Sequence, residues 1–225
     1  MTKFKKTITT IIMLLGLFIM PKTTIQAFGI NSTQQEFFNL YSKKIYIDVK
    51  TQTLYLTTGY NSVISKYKIS TGRNGTGEKE GSYKTPRGIF EIHSKYGKGN
   101  NPMSKYKGKA YIGEYDKTYA THDNILSRII TLDGKESHNS NTLQRCVYIH
   151  GTSDTQRLGK KPCSMGCVRM CPYEIVEFFN KVEQGTPVYI HDSNNPLSWE
   201  KKTFIFIQKS QNPLFFNRKE KIQMA

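Results

Sequence analysis

The sequence predicts a mostly β domain with one well-defined helix, on three observations. Short segments of alternating apolar and polar residues recur from Lys44 onward, as strands with one buried face require. Clusters of Gly, Pro, Asn and Thr, such as 71–77 and 85–88, punctuate them as turns. A single stretch, opening at Pro172, carries apolar residues at helical spacing.

Taken in order, residues 28–43 form an N-terminal arm whose apolar members are Phe37, Phe38, Leu40 and Tyr41. Ile45, Ile47 and Val49 then face one way, Thr51-Gln52 turns the chain, and Leu54 with Leu56 returns it, a hairpin pattern. Residues 63–70 read as a further strand ending in the Gly-rich loop 71–77. Thr85-Pro86-Arg87-Gly88 is a turn before a strand over 89–93. Residues 97–109, rich in Gly, Lys and Asn, are expected to be an exposed flexible loop. The mixed stretch 111–144 is expected to hold one or two strands and a segment that covers a site. Val147-Tyr148-Ile149 is a short apolar strand leading into His150-Gly151-Thr152. Pro172 suits a first helical position, and Ile175, Val176, Phe179 and Val182 supply the apolar stripe, with Gly185 as the stop. A strand over 187–190 follows. Residues 193–225 form a basic, aromatic C-terminal extension with a strand pattern at 204–207 and no assigned role.

Composition bounds the function. At 225 residues, 37% hydrophobic and 12% aromatic, the chain suits one ordinary domain with a sizeable core. Lys3, Lys5 and Lys6 followed by an apolar run over 8–20, Pro21 and a small residue at Ala27 predict an export signal over 1–27. The run of about 13 residues is shorter than the roughly 20 a spanning helix needs. An uncleaved anchor is the competing reading, and the absence of a cysteine near the signal excludes a lipoprotein. The formal charge is +16, and +12 remains when the four lysines of residues 1–27 are set aside. For an exported protein this surface suits an anionic envelope polymer better than nucleic acid, although the scattered basic residues are equally compatible with a simply solvated surface. Cys146, Cys163, Cys167 and Cys171 allow three full disulfide pairings, and the sequence leaves that choice open. The three-residue gaps between the last three cysteines lack the CxxC pairs of most zinc sites.

Two of these residues carry chemistry as a pair. His150 and Cys167 each lie where a regular element gives way to a loop. Gly166, without a side chain, lets backbone approach a substrate closely. If the turn at Ser164 runs into the helix near Pro172, the amides of Gly166 and Cys167 converge on a developing oxyanion, and the helix N-terminus favours the thiolate. His150 then accepts the thiol proton and returns it to a leaving amine. His93, His122, His138 and His191 are chemically comparable bases, so spacing alone does not select His150.

The segments Tyr148-Ile149-His150-Gly151-Thr152, Leu158-Gly159 and Ser164-Met165-Gly166-Cys167-Val168-Arg169-Met170 resemble the catalytic signature of the L,D-transpeptidase (YkuD-like) family. The resemblance extends to the opening hairpin with Leu54-Tyr55-Leu56, to Ser70-Thr71-Gly72 and to Thr85-Pro86-Arg87-Gly88-Ile89-Phe90. It continues through 127–134 and Thr142-Leu143-Gln144-Arg145, which are similar to exported Gram-negative members, and Gly185-Thr186-Pro187-Val188. It spans 44–192 and implies the family's β-sandwich or barrel with a mixed sheet and one helix after the catalytic cysteine. It also implies a periplasmic, monomeric enzyme without cofactor or metal, acting on peptidoglycan stem peptides.

By the same resemblance Cys167 is the nucleophile and His150 the general base, oriented by the Gly151 carbonyl. The Gly166 and Cys167 amides hold the oxyanion. Ser164, Met165 and Arg169 line or support the substrate site. For Arg169, bracing the site through a buried ion pair stands beside positioning the donor, and for Ser164 a role in the turn stands beside a functional one. Met165 is the departure, because the family usually places His there, and Met neither titrates nor donates a strong hydrogen bond. The implied reaction is acyl transfer from a tetrapeptide stem, with D-alanine release, to an amine of a second stem, a protein or a small molecule. Hydrolysis by the same acyl-enzyme and a non-catalytic wall-binding module are the alternatives. A sortase lacks its Thr-Leu-x-Thr-Cys element here, and a papain-like protease would place Cys before His. Cys163 or Cys171 is close enough in sequence to trap Cys167 as a disulfide, although a free Cys167 is the expected state.

Overall fold

The computed structural model describes residues 42–59, 61–119 and 124–192. The export segment, nearly all of the N-terminal arm and the strand pattern at 204–207 lie outside the described residues. Within them the chain forms β1 (Lys43–Asp48), β2 (Thr53–Thr58), β3 (Val63–Ser70), β4 (Gly88–Tyr96), β5 (Ser104–Lys107), β6 (Ala110–Glu114), β7 (Ile125–Gly134), β8 (Tyr148–Thr152), β9 (Val168–Met170), α1 (Pro172–Lys181) and β10 (Pro187–His191).

One mixed sheet runs β4-β10-β1-β2-β3-β9-β8-β7-β5-β6, and β4 pairs with β7 as well as with β10. That second pairing closes eight strands into a ring and leaves the β5–β6 hairpin hanging from β7. Closure removes the unpaired edges of those eight strands. The β1–β10 and β8–β9 pairs are parallel, and the other ladders are antiparallel.

Alternation decides which side chains enter the ring. Ile45, Ile47, Leu54, Leu56, Ile69, Phe90, Ile92, Ile130, Ile149, Val168 and Val188 form one core together with Ile175, Phe178 and Phe179 of α1. The opposite face of β1 and β2 carries Tyr46 and Tyr55, with Tyr46 stacked on Tyr189 at 4.9 Å between ring centroids. Aromatic cross-strand pairs of this kind stabilise a sheet face that faces away from the main core.

Three expectations change. Residues 97–109 are not a loop throughout, because Ser104 and Tyr106 turn inward while Lys105 and Lys107 turn out, and β5 pairs with both β6 and β7. That pairing is tertiary and leaves only a four-residue pattern in the sequence. The helix ends at Lys181, since Val182 adopts an extended backbone (φ −122°, ψ 153°), and Gly185 serves the next turn. Its last carbonyls accept the Lys43 and Lys95 ammonium groups, cations placed where the helix dipole favours them. The stripe contains Phe178, 0% exposed, whereas Val176 is only half-buried. The Phe178 ring meets Tyr67 of β3 edge-on at 5.5 Å.

Phe178→Ala is therefore expected to cost about 3–5 kcal/mol in urea unfolding and Val176→Ala less than about 1.5 kcal/mol, the reverse of a stripe centred on Val176. A second expectation comes from His191, buried at the end of β10 opposite Asp48. Burial holds its imidazole below the ordinary 6.5, against the pull of Asp48 and Asp192. The unfolded chain thus binds the proton more readily, and the stability this neutral ring contributes is present above pH 6.5 and lost as pH falls below it. Thermal melting between pH 7 and 5 should show that loss, and His191→Gln should flatten it.

Candidate active site

Register on the β8–β9 pair builds the site. Ile149 lies opposite Val168 and His150 opposite Arg169 in a parallel ladder. Ile149 and Val168 enter the main core, so the residues beside them, Tyr148, His150, Cys167 and Arg169, project to the other face. Cys167, the residue before β9, packs half-buried against Tyr106, Ile129 and Tyr148. The sheet thus brings His150 and Cys167 onto one face of adjacent strands from 17 positions apart in sequence.

The thiol is held by backbone. The Tyr148 N–H donates to Cys167 Sγ at 3.4 Å, and Sγ donates to the Cys146 carbonyl at 3.5 Å. An N–H aimed at sulfur stabilises a thiolate, and the same strand entry offers the carbonyl that accepts the S–H of the thiol. Tyr148 itself has its phenol pushed upward, first by burial and then by its hydrogen bond with the Cys146 thiol. His150 is 4% exposed and its Nδ1 lies 2.8 Å from the Gly151 carbonyl. A carbonyl only accepts, so Nδ1 carries the hydrogen and Nε2 is the basic nitrogen of the neutral ring. The Gly151 carbonyl is thus the group that fixes the tautomer of this ring. A side chain at Gly151 would put a Cβ 2.7 Å from the Leu126 carbonyl, so glycine is what lets β7 lie against the base.

The turn before Cys167 is tied inward. Ser164 Oγ donates to the Cys167 carbonyl at 2.6 Å and accepts the Gly166 N–H at 3.1 Å. Thr85 Oγ1 donates to the Gly166 carbonyl at 2.9 Å and accepts the Gly72 N–H at 2.8 Å. Gly166 has φ +113°, a conformation that a β-carbon disfavours. Ser164, buried, thus braces the turn. Met165, 65% exposed, sits at the lip of the site.

Geometry corrects two expectations here. Cys167 is not at a helix N-terminus, because β9 intervenes and α1 starts only at Pro172. The Gly166 amide is engaged by Ser164 rather than aimed outward beside that of Cys167. The two readings of Arg169 also separate. It is 1% exposed, its Nη2 lies 3.6 Å from Asp154 Oδ2, and it contacts Ser70 and the Cys163 thiol. From this buried position it braces β9 against β3 and the 154–163 segment.

Sequence reasoning missed Tyr148 as a backbone donor, Thr85 as the link beneath Gly166, and Arg145. Thr85 lay within the quoted Thr-Pro motif, so its signal was present but unassigned. The Arg145 guanidinium donates to the Lys84 carbonyl at 2.7 Å and the Gly77 carbonyl at 3.2 Å, fastening the 77–84 segment near Cys167. Burial lowers its pKa, opposed by Glu78, Glu80 and Cys167. All four cysteines are thiols. Cys163 lies on Arg169 and Ser70, Cys171 precedes α1, and it is Cys146 whose backbone touches the nucleophile. Among the described residues no three His, Cys, Asp or Glu side chains converge as metal ligands.

The family model for the YkuD L,D-transpeptidase catalytic domain matches residues 42–190. The chain belongs to that family. It is also 33% identical over 135 residues to YqjB of Bacillus subtilis (strain 168), which carries a provisional L,D-transpeptidase name. That match covers 60% of this chain, and the chain spans 63% of YqjB's length. Among solved structures, an L,D-transpeptidase from Mycobacterium smegmatis aligns with TM-score 0.43 at 15% identity, over 67% of this chain and 58% of that one. The L,D-transpeptidase of Xylanimonas cellulosilytica aligns with TM-score 0.45 at 18% identity, over 67% and 61% respectively. The family assignment rests on the domain match.

As a brace in this L,D-transpeptidase domain, Arg169 should matter to folding before it matters to substrate. Arg169→Gln is expected to cost about 3 kcal/mol in denaturant unfolding, by leaving Asp154 without its buried partner. Arg157, the exposed partner of Asp154, should cost less than about 1 kcal/mol when changed to Gln. An Arg169→Gln variant of undiminished stability and raised KM would return the residue to a substrate-binding role.

Proposed function

We propose that this chain is an active, exported cysteine acyltransferase that joins peptidoglycan stem peptides by L,D-transpeptidation through Cys167. The observation that carries the reading is the pairing on one sheet face of a backbone-held thiol and a histidine whose tautomer is fixed with Nε2 as base. The family acts on peptidoglycan stems, which supplies the substrate class.

In this reading His150 Nε2 takes the Cys167 proton as Sγ attacks the carbonyl of the third residue of a tetrapeptide stem. The tetrahedral oxyanion meets the Cys167 amide, with the Gly166 amide joining only when it exchanges its bond to Ser164. The carbon–nitrogen bond to D-alanine then breaks, and His150 returns the proton to the departing amine. A thioester remains on Cys167. An acceptor amine, deprotonated by His150, attacks it, forms a 3→3 link or another amide, and regenerates the thiol. No cofactor enters these steps. Met165 stands outside the proton path, which runs between β8 and the start of β9. Extracytoplasmic action follows from the basic and apolar N-terminal segment, with the envelope as the place where the substrate is found.

The test is incubation of the protein lacking residues 1–27 with disaccharide-tetrapeptide, followed by mass spectrometry. Crosslinked dimer with D-alanine release is expected, falling to background in Cys167→Ala and by at least about 100-fold in His150→Gln. Tripeptide without dimer would make the enzyme an L,D-carboxypeptidase. No turnover, with no covalent adduct from a carbapenem on reduced protein, would leave a wall-binding module.

A further inference from the structure

Six arginines lie among the described residues, and five have a polar or charged partner for the guanidinium. Arg87 pairs with Glu78 at 3.5 Å, Arg157 with Asp154 at 3.3 Å and Arg169 with Asp154 at 3.6 Å. Arg128 donates to the Ser127 carbonyl and Arg145 to those of Gly77 and Lys84. Arg73 differs. Its exposed guanidinium has, among the described residues, neither carboxylate nor carbonyl, and lies over the ring of Tyr83 at 5.3 Å from the centroid.

Its position is fixed from below. The Arg73 N–H donates at 2.9 Å to the carbonyl of Ser164, the residue that opens the nucleophile turn. Tyr83 is 46% exposed and holds φ +56°, a left-handed conformation that is strained for a bulky residue. Its backbone lies close under the same turn, because a Cβ built on Gly166 would stand 3.7 Å from the Tyr83 carbonyl carbon. The Arg73–Tyr83 pair thus forms a lip over the 164–166 turn that leads to Cys167. A guanidinium resting over a ring keeps N–H donors for solvent while losing side-chain freedom in advance, which suits a planar carboxylate.

We propose that Arg73, held on Tyr83, is a carboxylate-binding residue of this site, and that it recognises a carboxylate of the peptide donor flanking the carbonyl that Cys167 attacks. The identity of the donor rests on the transpeptidase reading, whereas the carboxylate preference of the lip does not. Tyr83 acts as the positioning residue for the guanidinium.

The experiment compares alkylation of Cys167 by iodoacetate and by neutral iodoacetamide, two reagents that differ by the carboxylate, at ionic strength near 10 mM. Fragment-ion mass spectrometry separates Cys167 from Cys146, Cys163 and Cys171. The ratio of the two rate constants should fall about 3–5-fold in Arg73→Gln, as expected for an exposed charge pair. Arg73→Lys should keep part of it, Tyr83→Leu should lower it, and Lys66→Gln on β3 should leave it unchanged. The preference should fade toward 1 M salt, where screening acts within about 3 Å. In parallel, Arg73→Gln should raise the KM for a tetrapeptide donor with free carboxylates about 3–5-fold, with kcat kept and an amidated donor unaffected. A change in the reagent ratio with no turnover by any variant would uphold the lip and sink the transpeptidase reading. A change in KM alone would place the carboxylate further from sulfur and still uphold the residue. Arg73→Gln equal to wild type in both readouts would overturn the proposal.

Discussion

The site depends on one buried hydroxyl. Thr85 Oγ1 accepts the amide of Gly72 and donates to the carbonyl of Gly166, and so joins the end of β3, the entry to β4 and the nucleophile turn at a single atom. The turn makes little packing of its own, with Met165 in solvent and Gly166 bare, so its position has to be imposed by directed bonds. A second series of bonds approaches from the other side. Gln52, buried in the β1–β2 turn at φ +50°, contacts Val49 and both the amide and the hydroxyl of Thr71. The Thr71 carbonyl in turn accepts the amides of Cys163 and Ser164 at 2.9 Å. A strained hairpin residue and a threonine thus hold the sulfur's neighbourhood from opposite directions. Buried polar networks of this kind rigidify when every member is satisfied, which is what an attacking group needs.

Electrostatics at the nucleophile follows from the same scaffold. A helix N-terminus is the familiar way to favour a thiolate, but here β9 and Cys171 separate Cys167 from α1. The Tyr148 amide instead donates to the sulfur directly, and Arg145, anchored on the Gly77 and Lys84 carbonyls, is a cation that interacts with Glu78 and Glu80 as well as with Cys167. The charge therefore stays near sulfur without being free to swing. Arg169, although closer in sequence, is turned inward onto Asp154. Sequence neighbours of the nucleophile build the frame, and residues from the 71–87 loop and the approach to β8 supply the field.

What the sequence disclosed follows the range of the interactions concerned. The β1–β2 hairpin, β3, β10 and the opening of α1 are specified by local alternation and by Pro172, and all appear where the pattern placed them. The β5 strand escaped because its reason is a partner, β7, some twenty residues away. The helix end was displaced because Val182 leaves the helical backbone three residues before the glycine that punctuates the sequence. At the site, the resemblance identified His150 and Cys167, and the structure adds why they share a face: a parallel β8–β9 register that no spacing rule encodes. Backbone donors such as Tyr148 N–H leave no trace in residue identity, because any residue but proline offers the same group. The inward turn of Arg169 was equally invisible, since an arginine in a strand reads the same whether its partner is Asp154 or a substrate.

The substitution of methionine for the usual histidine at 165 can be placed physically. Met165 lies on the solvent side of the turn, 65% exposed, while the bonds that fix sulfur and imidazole run through Tyr148, Cys146 and Gly151. A residue there meets whatever approaches Cys167 but does not enter the hydrogen bonds that set the thiol or the base. Methionine brings flexible apolar surface to that position. The machinery beneath is insulated from the change by Ser164, whose hydroxyl closes the turn from inside and makes both of its bonds to backbone. The departure thus bears on the surface around Cys167 and not on the bonds that hold its sulfur.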